Sequence, residues 1–154
     1  MEQSSKTKVL FLCTGNSARS QMAEGFLRHY AGDIFEVHSA GLDPQGVNPL
    51  AIRVMDEVGI SIAGQTSDHV RKYLGMKYFG VVVTVCDHAE RNCPRVWLDA
   101  QDRHLHWSLE DPAAAEGDEA ARLAKFRELR DIIDETIKGY LREQGIAVAG
   151  QEQA

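Results

Sequence analysis

The apolar run Val9-Leu10-Phe11-Leu12 passes without a break into Cys13-Thr14-Gly15-Asn16-Ser17-Ala18-Arg19-Ser20, after which Met22, Ala23, Phe26, Leu27 and Tyr30 recur at helical spacing. A buried strand therefore gives way to a helix across a short loop with a cysteine at its floor and an arginine at its exit. Backbone N–H groups of such a loop point inward at the helix N-terminus, where donors and partial positive charge together favour an anion. The same field favours Cys13 as a thiolate. Gly15 allows a tight turn, Asn16 tolerates left-handed dihedrals, and Arg19 offers a planar fork for two oxygens. Ser20 can donate its hydroxyl to the sulfur. The bland alternative is an inert buried cysteine; the strand before, the helix after and the Gly-Asn pair between favour an anion-binding nucleophile.

Strand-like and helix-like patterns alternate along the chain, which predicts an α/β fold with a largely parallel sheet. Strands are expected over residues 8–12, 35–40, 78–85 and about 104–109, the third carrying the β-branched core Val81-Val82-Val83-Thr84-Val85. Helices are expected from the loop to Gly32, over 49–58 between Pro49 and Gly59, over 67–74 before Gly75, and over 118–144. The last carries the apolar stripe Leu123, Phe126, Ile133, Ile137 and Leu141. With 154 residues and 44% hydrophobic residues, a single domain over 1–154 is expected, with an ordered core at 6–145 and a frayed tail at 146–154. A net charge of −6 argues against a broad nucleic-acid or anionic-membrane surface. No apolar leader or spanning run is evident, so the expected location is cytoplasmic.

Ligands of open parallel sheets gather at the carboxyl ends of strands, and Cys13, Cys86 and Asp111 all follow predicted strand ends. Asp111-Pro112 places a carboxyl where it can protonate a leaving oxygen, although Asp before Pro is also a common turn starter. Cys86 and Cys93 stand seven positions apart. A disulfide needs α-carbons within about 7 Å, yet that separation spans roughly 10 Å as helix and over ~20 Å when extended. Oxidation of the pair therefore requires a compact loop, and a helix there must unwind. The alternatives are two buried cysteines, or a zinc site using Cys86, His88, Cys93 and His104 or His106, whose spacings fit no tight Cys-x2-Cys pair.

The segment Cys-x-Gly-Asn-Ser-x-Arg-Ser resembles the phosphate-binding loop of the low-molecular-weight tyrosine phosphatases and of the arsenate reductases sharing their fold. Cys-Asp-x-Ala-x-x-x-Cys-Pro, from Cys86 to Pro94, resembles the redox segment of thioredoxin-coupled arsenate reductases. The resemblance implies a three-layer αβα sandwich with a four-stranded parallel sheet, and an anion held by Thr14, Gly15, Asn16, Ser17, Ala18, Arg19 and Ser20. It implies Asp111 as general acid and a relay in which Cys13 attacks arsenate, a Cys13–Cys86 disulfide forms, and the disulfide moves to Cys86–Cys93. Thioredoxin is the implied reductant, phosphate a competitor, and no cofactor is tightly bound. Some relatives carry a monovalent cation, potassium, at positions corresponding to Asn16, Glu24, Ser67 and Asp68. The chain departs from the phosphatase pattern in having Ala113-Ala114-Ala115 where an aromatic residue usually walls an aryl slot, and Ala18 where a second loop cysteine is common. The competing expectations are a phosphomonoesterase that uses only Cys13, Arg19 and Asp111, and a non-catalytic phosphate-binding or redox-sensing module.

Overall fold

Four parallel strands, β1 (Thr7–Cys13), β2 (Phe35–Gly41), β3 (Val81–Thr84) and β4 (Arg103–His106), form one sheet in the order β2-β1-β3-β4 in a computed structural model, which describes residues 6–74 and 78–148. The α/β reading and the parallel sheet hold. Because β2 and β3 flank β1 on opposite sides, the order reverses between β1 and β3. A crevice opens at the carboxyl ends of strands at such a point. Cys13 ends β1, and Cys86 lies two residues beyond β3.

Alternation along the strands divides the interior in two. Val9, Phe11 and Cys13 of β1, with Val81 and Val83 of β3, face a large cluster formed by α1 (Arg19–Ala31), α2 (Pro49–Asp56) and α5 (Glu119–Glu143). The expected stripe on α5 is buried in it, and Leu129 of the same helix is buried as well. Leu10 and Leu12 of β1, with Val82 of β3, face a smaller cluster closed by Val70, Tyr73, Phe79, Cys93 and Leu98. Two short helices, α3 (Asp87–Asn92) and α4 (Arg95–Asp99), connect β3 to β4. Trp107 packs on Phe11 and Tyr140, and Trp97 on Phe79, both as packing residues.

The expected helix at 67–74 is only a 3-10 turn, Val70–Lys72. Groups needed for a first helical turn are engaged elsewhere: the Asp68 N–H donates to Asn16 Oδ1 at 2.7 Å, the Asp68 carbonyl accepts from Gly41 N–H at 2.8 Å, and Ser67 Oγ donates to the Asn16 carbonyl at 2.9 Å. Gly75, its expected stop, lies outside the described residues. β4 ends at His106 rather than 109, though Trp107 N–H still donates to the Thr84 carbonyl at 2.9 Å. β3 is shorter than 78–85, because Phe79 N–H turns to the Gln101 side chain at 2.8 Å. Beyond α5, Ile146 and Val148 pack against the large cluster; residues 149–154 lie outside the described region. Among the described residues no helix is long and apolar enough to cross a membrane.

Glu57, which caps the C-terminus of α2, accepts from Arg127 Nε at 2.9 Å, Arg127 Nη2 at 2.8 Å and Arg130 Nη1 at 2.9 Å, tying α2 to α5. The Arg127 hydrogen bond, assisted by Arg130, holds its carboxyl at about 2, below the usual glutamate range. A carboxyl lowered on folding stabilises the fold fully above its unfolded pKa, about 4.3, and loses that contribution as pH falls through the folded value. Glu57→Gln is therefore expected to lower the urea midpoint at pH 7, with the deficit shrinking as pH falls from 5 toward 3. An equal deficit at both pH values would refute the linkage.

Candidate active site

The loop between β1 and α1 is held by its carbonyls. Those of Cys13, Thr14, Gly15 and Ser17 accept the N–H groups of Leu42, Asp43, Gln45 and Asn48 at 3.2, 2.8, 2.9 and 2.9 Å. The Asn16 carbonyl accepts from Gln21 Nε2 at 3.0 Å and Ser67 Oγ at 2.9 Å. With the carbonyls anchored to this outer segment, the loop presents N–H groups to the other side, the arrangement of an anion nest. Ala18 at the N-cap of α1 makes no side-chain cap bond, so the first-turn N–H groups of that helix are left to a ligand.

Asn16 is the brace of the loop. It is fully buried with φ 46°, the only positive φ at a non-glycine among the described residues. Its Nδ2 donates to Ser20 Oγ and Ser39 Oγ, both at 2.9 Å, while its backbone N–H donates to Cys13 Sγ at 3.1 Å. Ser20 Oγ lies 3.0 Å from the same sulfur. The hydroxyl expected near Sγ is thus in contact with it, and the Asn16 N–H joins it.

A cavity of about 330 Å³ opens above the sulfur, lined by Cys13, Thr14, Gly15, Ser17, Ala18, Arg19, Gln45, Asp111 and Ala113. Arg19 Nη1 donates to the Leu109 carbonyl at 3.0 Å, and Nη2 lies 3.8 Å from Asp111 Oδ2. Asp111 both faces the cavity and caps the 3-10 turn Pro112–Ala114, accepting Ala113 N–H at 3.0 Å. The acid and turn readings of this residue are therefore compatible. Its side chain is 46% exposed, open to exchange protons with water.

All three cysteines are free and buried. Cys86 caps the N-terminus of α3, its sulfur accepting Ala89 N–H at 3.4 Å, and Thr14 Oγ1 lies 3.4 Å from it. One loop residue thus touches the second thiol. Cys93 sits at the other end of α3, in the smaller cluster beneath Leu10, Leu12 and Val82. Burial, reinforced by Glu90 and opposed by Arg95, pushes its thiol up to about 11.

The matched family model describes a low molecular weight phosphotyrosine protein phosphatase and spans residues 8–151. An arsenate reductase of Halalkalibacterium halodurans is 46% identical over 135 residues, 88% of this chain and 95% of its own. A solved arsenate reductase in the phosphate binding state superposes with TM-score 0.74 at 36% identity, covering 89% of this chain and 98% of that one. A thioredoxin-dependent arsenate reductase of Corynebacterium glutamicum superposes with TM-score 0.67 at 28% identity, covering 91% of this chain and 62% of that one. The chain belongs to the low-molecular-weight phosphatase family, and within it to the arsenate reductases.

Other positions that arsenate reductase relatives led us to expect fare unevenly. Asn16, Ser67 and Asp68 come together, but Glu24 reaches them only through Ser39, whose Oγ donates to Glu24 Oε1 at 2.6 Å, while Arg28 closes on Oε2. Asp68 Oδ2 accepts from Thr66 at 2.8 Å, with Lys72 at 3.5 Å. With Glu24 engaged by Ser39 and Arg28, the four residues as placed do not converge on one potassium ion. Cys86 and Cys93 stand at opposite ends of α3 and in different clusters, so the residues of the zinc alternative do not come together as placed.

Sequence reasoning missed Gln21, Ser39, Gly41 and Gln45, because each meets the loop from a distant stretch of chain or around a helical turn. Gly41 carried a signal, a glycine where a predicted strand ends. A Cβ there would lie 2.5 Å from the Thr14 carbonyl oxygen and 2.8 Å from Asn16 N. Gly41→Ala is therefore expected to displace the loop and weaken inorganic phosphate binding at least ~10-fold by calorimetry, about 1.4 kcal/mol. Wild-type affinity in a folded variant would mean the loop tolerates the shift.

Proposed function

We propose that this chain reduces arsenate to arsenite through a three-thiol relay regenerated by a thioredoxin-type dithiol. The observation that carries the reading is the contact of Thr14 with Cys86 Sγ at 3.4 Å, which sets a second thiol beside the anion loop of Cys13. A phosphatase has no use for a thiol there. The homology to arsenate reductases supports the same choice, as does Ala113 lining the cavity where a ring-binding wall would stand.

Arsenate sits on the N–H groups of residues 14–19 with Arg19 across two of its oxygens. Cys13 Sγ attacks arsenic while Asp111 gives a proton to the departing oxygen, which leaves as water. Cys86 then attacks Cys13 Sγ. The electron pair of the S–As bond passes to arsenic, arsenite leaves, and a Cys13–Cys86 disulfide remains. Attack of Cys93 on Cys86 Sγ frees Cys13 as thiolate and moves the bond to Cys86–Cys93, which the external dithiol reduces. Phosphate, with the same shape and charge, competes for the loop. A protein that must regain three free thiols each cycle suits a reducing compartment, so we place it in the cytoplasm. The cycle as drawn uses the external dithiol and no tightly bound cofactor.

Arsenate-dependent NADPH consumption with thioredoxin and thioredoxin reductase tests this. Cys13→Ser, Cys86→Ser and Cys93→Ser are each expected to lose steady turnover by at least ~100-fold, and Asp111→Asn to slow arsenite formation by roughly 10²-fold. Steady turnover that survives without Cys86 or Cys93 would dismiss the relay and favour a phosphomonoesterase. No multiple turnover of arsenate or of aryl phosphates by the wild type would favour a non-catalytic module.

A further inference from the structure

The helix between the two resolving thiols is tied down by groups that the chemistry above does not use. Glu90 Oε1 accepts from Thr84 Oγ1 at 2.6 Å and from His104 Nε2 at 2.8 Å, and Oε2 lies 3.4 Å from Arg95 Nη2. One turn earlier, Asp87 Oδ1 accepts from His106 Nε2 and Ser108 Oγ, both at 2.9 Å. The His106 ring is held from behind as well, its Nδ1 lying 3.0 Å from the Thr84 carbonyl. Arg95 Nη1 lies 3.4 Å from His104 Nδ1, which leaves that ring's other nitrogen to donate to Glu90. Through these side chains β3, β4, the segment after β4 and α4 all grip α3. None of the gripping residues lines the anion cavity.

The second exchange must break this grip. Cys86 and Cys93 cap opposite ends of α3 and are buried in different clusters, so their sulfurs meet only if the helix opens and Cys93 leaves the smaller cluster. We infer that Glu90, held by Thr84 and His104, is a latch on the redox segment, and that its release gates the attack of Cys93 on Cys86. The inference rests on the relay proposed above.

The step is a pure exchange. Cys93 loses its proton to solvent, its sulfur attacks Cys86 Sγ, the Cys13–Cys86 bond breaks, and the electron pair leaves on Cys13. No oxidant is consumed. Glu90 also acts on the attacking group, since burial of Cys93 first and the Glu90 carboxylate second keep that sulfur protonated while Arg95 opposes them. Opening the latch moves Cys93 away from both influences at once. The nucleophile is thereby disarmed until the first disulfide has formed and the segment has opened. Glu90 is a positioning residue here, acting through Cys93.

The test is a single turnover of the reduced full-length protein with one equivalent of arsenate and no thioredoxin. Aliquots are quenched by alkylation and their disulfides mapped by mass spectrometry. Wild type is expected to pass from Cys13–Cys86 to Cys86–Cys93. Glu90→Gln should make that passage roughly three- to tenfold faster, about the difference between a charge-assisted hydrogen bond and a neutral one. In a Cys13→Ser/Cys86→Ser background, Glu90→Gln should also move the pH midpoint of Cys93 alkylation downward, and Glu90→Asp should return it toward the parent. A passage that is unchanged or slower in Glu90→Gln overturns the latch with the relay intact. A wild type that never forms Cys86–Cys93 overturns the relay, and the latch with it. Should Glu90→Gln fail to fold, His104→Ala carries the same rate comparison.

Discussion

Everything the site can do depends on which way five carbonyls face. The segment after β2 runs beside the loop and takes the carbonyls of Cys13, Thr14, Gly15 and Ser17, and Gln21 and Ser67 take that of Asn16. An isolated loop of this composition would solvate its carbonyls and N–H groups indifferently. Here the carbonyls are bonded on one side, so the donors have no alternative but the other. The positive φ of Asn16 is the local strain that this arrangement carries, and its three side-chain hydrogen bonds offset it. Anion binding is thus a tertiary property, built by β2 and its following segment as much as by the loop.

The strand order then brings in the second thiol. Because β3 lies directly against β1, the chain leaving β3 emerges beside the chain leaving β1, and Cys86 comes within reach of Thr14 without any special device. Cys93 is handled differently. It sits under the other face of the sheet among Leu10, Leu12, Phe79 and Val82, where apolar burial holds it apart from the anion site. The second thiol is brought to the anion loop by topology and the third is withheld by packing.

How much of this could be read beforehand follows the range of the forces involved. β1, the loop, α1 and α5 were legible because strand pattern, Gly-Asn chemistry and helical stripe are all local. The geometric argument that Cys86 and Cys93 stand too far apart to bond in regular structure also held, since α3 separates them. The stretch after Thr66 misled, because Ser67 and Asp68, good helix starters in isolation, are engaged by Asn16 and Gly41 far away in sequence. Nor did the pattern show the company Glu24 keeps: Arg28, one turn later on the same helix, pairs with it. No local signal marked the partners that β4 gives to α3 either, since they meet only when parallel pairing with β3 brings His104 and His106 alongside Thr84.

The division of the interior into two clusters sets a limit on how far this fold can be improved. In the proposed relay, every contact that tightens the smaller cluster around Cys93 adds to what must be undone before that sulfur can move. A repacked variant with a firmer second core would be expected to gain in melting temperature what it loses in throughput. The small cluster, closed by one 3-10 turn and two short helices rather than by long ones, therefore marks the place where durability yields to motion.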